Sequence, residues 1–168
     1  MNDERLSHVA SLVEFMKDAD HIDVKSCEGN ATLIEFIAGI LSYQPGWMRM
    51  LWLVRVWLLK ALGQGEQIVP EKKRFTPQTF PVTPGEKADF FTVVESDGET
   101  FWVAEGKEKH LDAIIGVVVE QLDGEIGTNR FHVATIVKYN NSAGPIYFNL
   151  IRPFHHVVVH FAMKSVMA

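Results

Sequence analysis

Residues 145–167, PIYFNLIRPFHHVVVHFAMKSVM, read as one long amphipathic helix. At 3.6 residues per turn, Tyr147, Ile151, Phe154, Val158 and Phe161 share one side. Asn149, Arg152, His156, His160 and Lys164 share the other. An apolar stripe of that length asks for a sheet to lie on. Pro153 inside it removes one backbone hydrogen bond and predicts a kink.

The segments before it supply the sheet. Ala88–Glu95, Glu99–Glu105, His110–Gln121 and Thr128–Tyr139 have strand composition. Asp97-Gly98, Gly106-Lys107 and Asp123-Gly124 stand between them as turn signals. Connections this short imply an antiparallel meander, whose apolar face needs a cover. The expected fold is therefore α+β: a curved antiparallel sheet wrapped around a long C-terminal helix in the helix-grip manner, with a cavity between them.

The first half adds smaller pieces. Residues 3–17 read as a short helix with Leu6, Val9, Val13 and Met16 on one side and Asp3 as its cap. His21–Lys25 alternates as a strand. Asn30 is placed to cap a helix over 31–43, and a Trp-rich helix follows over 46–62, ended by Gly63 and Gly65. From Trp47 to Leu62, 13 of 16 residues are apolar. Sixteen residues of helix reach only about 24 Å, short of the roughly 30 Å hydrocarbon core, and Arg55 sits mid-segment, so a membrane span is rejected. A buried helix is the plain expectation; a helix lying on a membrane surface or in a dimer is the sharper one. Residues 63–87 hold four of the seven prolines and read as a lid, an insert, or a connection hiding an edge strand near Gln67–Val69.

Composition limits the function. The chain has 168 residues, 16 Lys and Arg, 21 Asp and Glu, and a net charge of −5. That size fits one domain, read as 18–168 with 1–17 as a helical extension. The acidic balance argues against nucleic acid, where cationic contacts supply most of the affinity. The single cysteine, Cys27, forbids an internal disulfide and fits a reducing compartment. The acidic N-terminus does not resemble a secretory signal, so a cytoplasmic location is expected. No phosphate loop, nucleophile elbow or zinc-protease helix occurs, and no cofactor is expected. Asp18, Asp20, Asp23 and Glu28 lack calcium-loop spacing, and Lys72-Lys73-Arg74 reads as a solvated loop.

Three motifs carry a resemblance: Lys109-His110-Leu111-Asp112, the run Tyr139-Asn140-Asn141-Ser142-Ala143-Gly144-Pro145-Ile146-Tyr147, and Leu150-Ile151-Arg152-Pro153-Phe154-His155. Their order, with the Trp47 helix and Phe80-Pro81-Val82, resembles the bacterial domain-of-unknown-function 2867 family over roughly 18–167. That family resembles the START-like, pollen-allergen-like superfamily, whose fold is the helix grip. The resemblance implies a fold and no activity; superfamily members bind lipids, steroids or polyketides, and some are cyclases or hydratases. Where family strands carry alternate charges after the His-Leu-Asp motif, this chain has Ile114, Gly116 and Val118, which hints at a covered outer face, in a dimer for example.

The expected ligand is small and hydrophobic or amphipathic. Its walls would be Trp52, Trp57, Phe101, Tyr147, Ile151, Phe154 and Val158. Arg55, His110, Asp112 and His155 are the polar candidates. Arg55 is either a snorkelling side chain or a buried cation that must be paired or hold an anion. His110, Asp112, Arg130 and His132 form either a cross-strand cluster or ordinary surface pairs. The Arg152, His156 and His160 stripe reads as a solvated face, although the histidine spacing suits a metal. The alternatives are a cyclase- or hydratase-type enzyme using His110, Asp112, Arg130 or His155, and a module docking its Trp-rich helix on a membrane or partner.

Overall fold

The structure, a computed structural model, describes residues 4–64, 73–122 and 127–167. Its elements are a 3₁₀ turn at Glu4–Leu6, α1 (Ala10–Lys17), β1 (His21–Gly29), α2 (Leu33–Ser42), α3 (Gly46–Ala61), a 3₁₀ turn at Pro77–Thr79, β2 (Lys87–Ala88), β3 (Phe91–Ser96), β4 (Phe101–Lys107), β5 (Leu111–Gln121), β6 (Asn129–Tyr139) and α4 (Ala143–Met167). The six strands form one antiparallel sheet in the order β1-β6-β5-β4-β3-β2. Strands β2 to β6 are the meander that the turn signals predict; β1 joins it beside β6. The long C-terminal helix lies on one side, and the architecture is an α+β helix grip.

Register assigns the faces. Trp102, Ala104, Val117, Phe131 and Val133 point inward and pack with Leu33, Phe36, Ile37 and Met163 from α2 and α4. Phe36 stacks on Phe131 at 4.1 Å. Val103, Ile114, Val118, Ala134 and Ile136 point outward and are buried against Leu6, Val9 and Leu12. The chain's own N-terminal residues thus cover the apolar outer face, the role the sequence reading offered to a second copy. A Cβ on Gly116 would meet Leu12 Cδ2 at 2.5 Å, so a larger residue there would make the Leu12 side chain shift.

Several details differ from expectation. Val9 is extended, which breaks the first helix into a turn and α1; Leu12, not Val13 or Met16, completes its buried stripe. The expected cap Asp3 lies outside the described residues. Strand β1 continues to Gly29 because β6 pairs with it in register along its whole length. Thr32, not Asn30, caps α2 through a capping box: Glu35 N–H donates to Thr32 Oγ1 at 3.3 Å, and Thr32 N–H donates to Glu35 at 2.8 Å. Asp89, with φ 61, splits the expected strand 88–95 into β2 and β3; aspartate tolerates this left-handed conformation better than most residues. Gly106-Lys107 ends β4, and the turn falls at 108–110 instead. Asp123-Gly124 and Gln67–Val69 lie outside the described residues.

The described part of the Pro-rich connection is anchored. Phe80 is buried beside Trp102 at 5.6 Å, and the Trp102 indole donates to Pro81 O at 3.0 Å. Among the described residues no helix is long and apolar enough to cross a membrane.

Helix α4 is rotated from the expected orientation. Tyr147, Phe148, Ala162 and Met163 are buried, Ile151, His155 and Val158 are half-buried, and Phe154 and Phe161 are exposed. The cause is the polar inner face of β1, where His21, Asp23 and Lys25 alternate inward. They draw the His155–His156 side of α4 toward them. Pro153 and Asn149 face solvent, so the carbonyl that loses its donor is hydrated.

Candidate functional site

Arg55 is the one charge on the sheet-facing side of α3. Its side chain is only 13% exposed, which excludes the snorkelling alternative. One Nη donates to Tyr147 Oη at 2.6 Å, and the other pairs with the Glu108 carboxylate. The guanidinium also lies 5.1 Å from the Trp52 ring and 5.3 Å from the Tyr147 ring, within cation–π range. His110 is fully buried beside them. Its ring meets Tyr147 edge-on at 4.6 Å, and its Nε2 is 3.2 Å from Glu108 Oε2 without hydrogen-bond alignment. Both His110 nitrogens, Arg55 Nε and Glu108 Oε2 are buried without a hydrogen-bond partner. Burial lowers the His110 pKa, opposed by Glu108 and aided by Arg55. Burial pushes the Tyr147 phenol up to about 12, against Arg55. The imidazole and phenol are therefore neutral at ordinary pH.

Two of the sequence motifs meet here. Asn140 N–H donates to His110 O at 2.9 Å, and its side-chain amide donates to Glu108 O and Asp112 Oδ1 at 2.9 and 2.8 Å. Asn141 donates to Lys109 O at 3.0 Å and accepts from Ala143 N–H at 2.9 Å, fixing the entry to α4. A Cβ on Gly144 would come within 2.5 Å of His110 O. The Asn140–Gly144 segment thus clamps the turn that carries Glu108 and His110. His110 lies in that turn, before β5, so strand alternation does not place it with Asp112, which points outward.

A second polar group joins β1 to α4. Lys25 Nζ is 2.5 Å from Asp23 Oδ2 and 2.9 Å from His156 Nδ1, and His156 is 3.4 Å from Asp23. His156 therefore leaves the solvated stripe assigned to it, while Asn149, Arg152, His160 and Lys164 stay exposed. Burial, then the His156 charge, pushes the neighbouring His155 imidazole down to about 4. An unfolded histidine titrates near 6.5 and binds more protons than the folded one below that value. The His155 contribution is complete above pH 6.5 and is lost as pH falls toward 4. The thermal midpoint of the wild type should decline across this window, and His155→Gln should flatten the decline. Identical slopes would remove His155 as the cause.

The other expected neighbours do not converge. Arg130 pairs with Glu28 and Glu120 at 2.6 and 3.2 Å, and His132 contacts Ser26 and Glu120 at 2.7 and 3.2 Å. In register, Arg130 faces Glu120 whereas Asp112 faces Lys138. Eight residues at about 3.3 Å put the two groups roughly 26 Å apart. His110 lies under α3 and α4, and His155 over β1. The acid–base quartet His110, Asp112, Arg130 and His155 has no common pocket. Of the expected walls, Trp52, Tyr147, Ile151 and Val158 are buried or half-buried toward the inner side. Phe101 packs on the outer face, and Trp57 and Phe154 face solvent at 70% and 52% exposure.

Two concavities are open grooves. One, of about 390 Å³, lies between α2 and the end of α4, lined by Tyr43, Arg74, Phe75 and Val166 among others. The other, of about 260 Å³, lies on the outer face near Arg5, Glu120 and His132. Glu108 and the Asn140 clamp escaped the sequence reading. A lone arginine on an apolar helix face signals a carboxylate partner, but only topology selects Glu108 from 21 acidic residues.

Sheet, gripping helix and clamped polar cluster define a helix-grip α+β protein. The chain belongs to the family described as "Protein of unknown function (DUF2867)", whose model matches residues 15–162. All three sequence motifs fall inside that match. Among solved structures, a crystal structure of Ara h 8.0201 is similar at 10% identity and a TM-score of 0.39, covering 87% of this chain and 97% of that one. No curated protein matches.

Proposed function

We propose that the protein binds a small amphipathic molecule against the inner face of the sheet, beneath α3 and α4. One contrast carries this reading. At the centre of the outer face, beneath residues 4–17, Val103, Ile114, Gly116, Val118, Ala134 and Ile136 are all buried. The inner face lies under three helices, yet Ala113 and Ile115, on an interior strand, stay half-buried. Ile151, His155 and Val158 on α4 and Trp52 on α3 are likewise half-buried. Apolar walls with a few convergent polar groups are the usual composition of a small-molecule site. The apolar body of the ligand lies over Ala113 and Ile115, and its polar end reaches the Arg55–Tyr147 cluster. Neither of the two grooves described above is lined by these residues, so the proposed site rests on their incomplete burial.

The test is fluorescence titration with 1-anilinonaphthalene-8-sulfonate, beside native mass spectrometry of the purified chain for co-purified mass. Wild type should enhance the dye's emission, and Ala113→Phe, which adds bulk at the proposed site, should weaken that binding at least about tenfold, the effect of a 1.4 kcal/mol loss. Equal enhancement by both proteins, with no co-purified mass, would count against the site.

A further inference from the structure

We infer that α3 and α4 together form a docking surface for an anionic lipid bilayer. On α3, Trp47, Met50, Leu53, Val54 and Trp57 are exposed, at i, i+3, i+6, i+7 and i+10. On α4, Ile146, Leu150, Phe154, Val157 and Phe161 are exposed, at i, i+4, i+8, i+11 and i+15. Each set is a helical stripe, and the two helices pack side by side. Among the described residues only one other large apolar side chain, Phe90, is exposed. Ten exposed large apolar side chains on two adjoining helices exceed the scatter of single apolar residues normal on a soluble monomer.

Charge selects the occupant. Helices α3 and α4, of 16 and 25 residues, contain no Asp or Glu. They carry Arg49, Arg55, Lys60, Arg152 and Lys164. The other 11 of the 16 Lys and Arg share the remaining chain with all 21 carboxylates, a net of −10. Arg55 is committed to Glu108; Arg49, Lys60, Arg152 and Lys164 are exposed and make no ion pair among the described residues. On an acidic chain, the two helices thus carry apolar stripes whose only charged companions within those helices are cations. A second copy seated face to face would oppose like charges. An anionic headgroup layer pairs with these cations while the stripes enter the acyl boundary, as amphipathic interfacial helices do. Trp47 and Trp57 suit the headgroup level.

The experiment is flotation of the full chain with phosphatidylcholine vesicles, with and without phosphatidylglycerol. Binding is expected only to the anionic vesicles and should fall with added salt. Arg49→Gln with Lys60→Gln should weaken it roughly twenty- to thirty-fold, from the typical contribution of each surface cation. Trp57→Glu with Phe154→Glu should abolish it, with an unchanged circular dichroism spectrum because both side chains are exposed. No flotation with anionic vesicles, or flotation undiminished in either double variant, overturns the inference. So does a dimer in sedimentation that Trp57→Glu with Phe154→Glu dissociates, since a second copy would then be the occupant.

Discussion

Arg55→Met is expected to destabilise the protein by about 3–5 kcal/mol, the usual cost of breaking a buried ion pair from one side. Glu108 would be left charged beneath α3, 23% exposed, with His110 as its nearest cation-forming neighbour. Tyr147 would lose a donor and Trp52 a cation. Glu108→Gln in the same chain removes the stranded charge and should restore a large part of the loss. The distribution of charge makes a finer prediction. Arg55 opposes protonation of His110 and Glu108 favours it. Without Arg55, His110 accepts a proton more readily and partly replaces the missing cation, so the penalty should shrink in mildly acidic buffer. Urea midpoints of the single and double variants at two pH values measure all three effects. A penalty below about 0.5 kcal/mol, typical of a solvent-screened pair, would show that the cluster does not hold α3 to the turn.

Trp102→Ala should cost about as much, roughly 3–5 kcal/mol, by creating a cavity in the inner core. Trp102 is fully buried on β4 between the sheet and the Pro-rich connection. Its indole donates to Pro81 O, so truncation also orphans an acceptor, worth roughly another 1–3 kcal/mol where water cannot enter. The damage should spread toward Phe80 and Phe75, whose rings meet at 5.5 Å. Phe75 N–H donates to Ser42 Oγ at 2.8 Å, and its hydrogen exchange should accelerate in the variant. Trp102→Phe keeps most of the contact area and should cost less than half as much. A loss under about 1 kcal/mol for Trp102→Ala would mean the connection closes over the gap by itself.

Much of the fold was legible because strand and helix periods are local properties. The dipeptide Asp97-Gly98 turns as expected, with Asp97 Oδ1 accepting the Glu99, Thr100 and Phe101 N–H groups. The amphipathic wheel of α4 was correct in period and wrong in phase. Phase depends on what the helix meets, and the polar inner face of β1 is set by pairing with β6, more than 100 residues away in sequence. The site was legible in part for the same reason. Arg55 was identifiable because a charge amid leucines and tryptophans demands a partner. Glu108 was not, because nothing local distinguishes it from Glu105 or Asp112. Strand alternation puts His110 and Asp112 on one face, but the bend at 109–110 releases the histidine from that rule. Trp57, Phe154 and Phe101 were assigned to the site on apolarity alone, and apolarity does not choose a side.

The N-terminal segment over the outer face separates two meanings of the word domain. The family model's match begins at residue 15, yet Leu6, Val9 and Leu12 are among the most completely buried side chains of the described residues. A fragment cut to the matched range would leave Val103, Ile114, Val118 and Ile136 wet on an open sheet face, a surface prone to self-association. For this chain a match boundary is thus not a packing boundary. In this chain, charge at the alternate positions 114, 116 and 118 would be the other way to make that sheet face tolerate water.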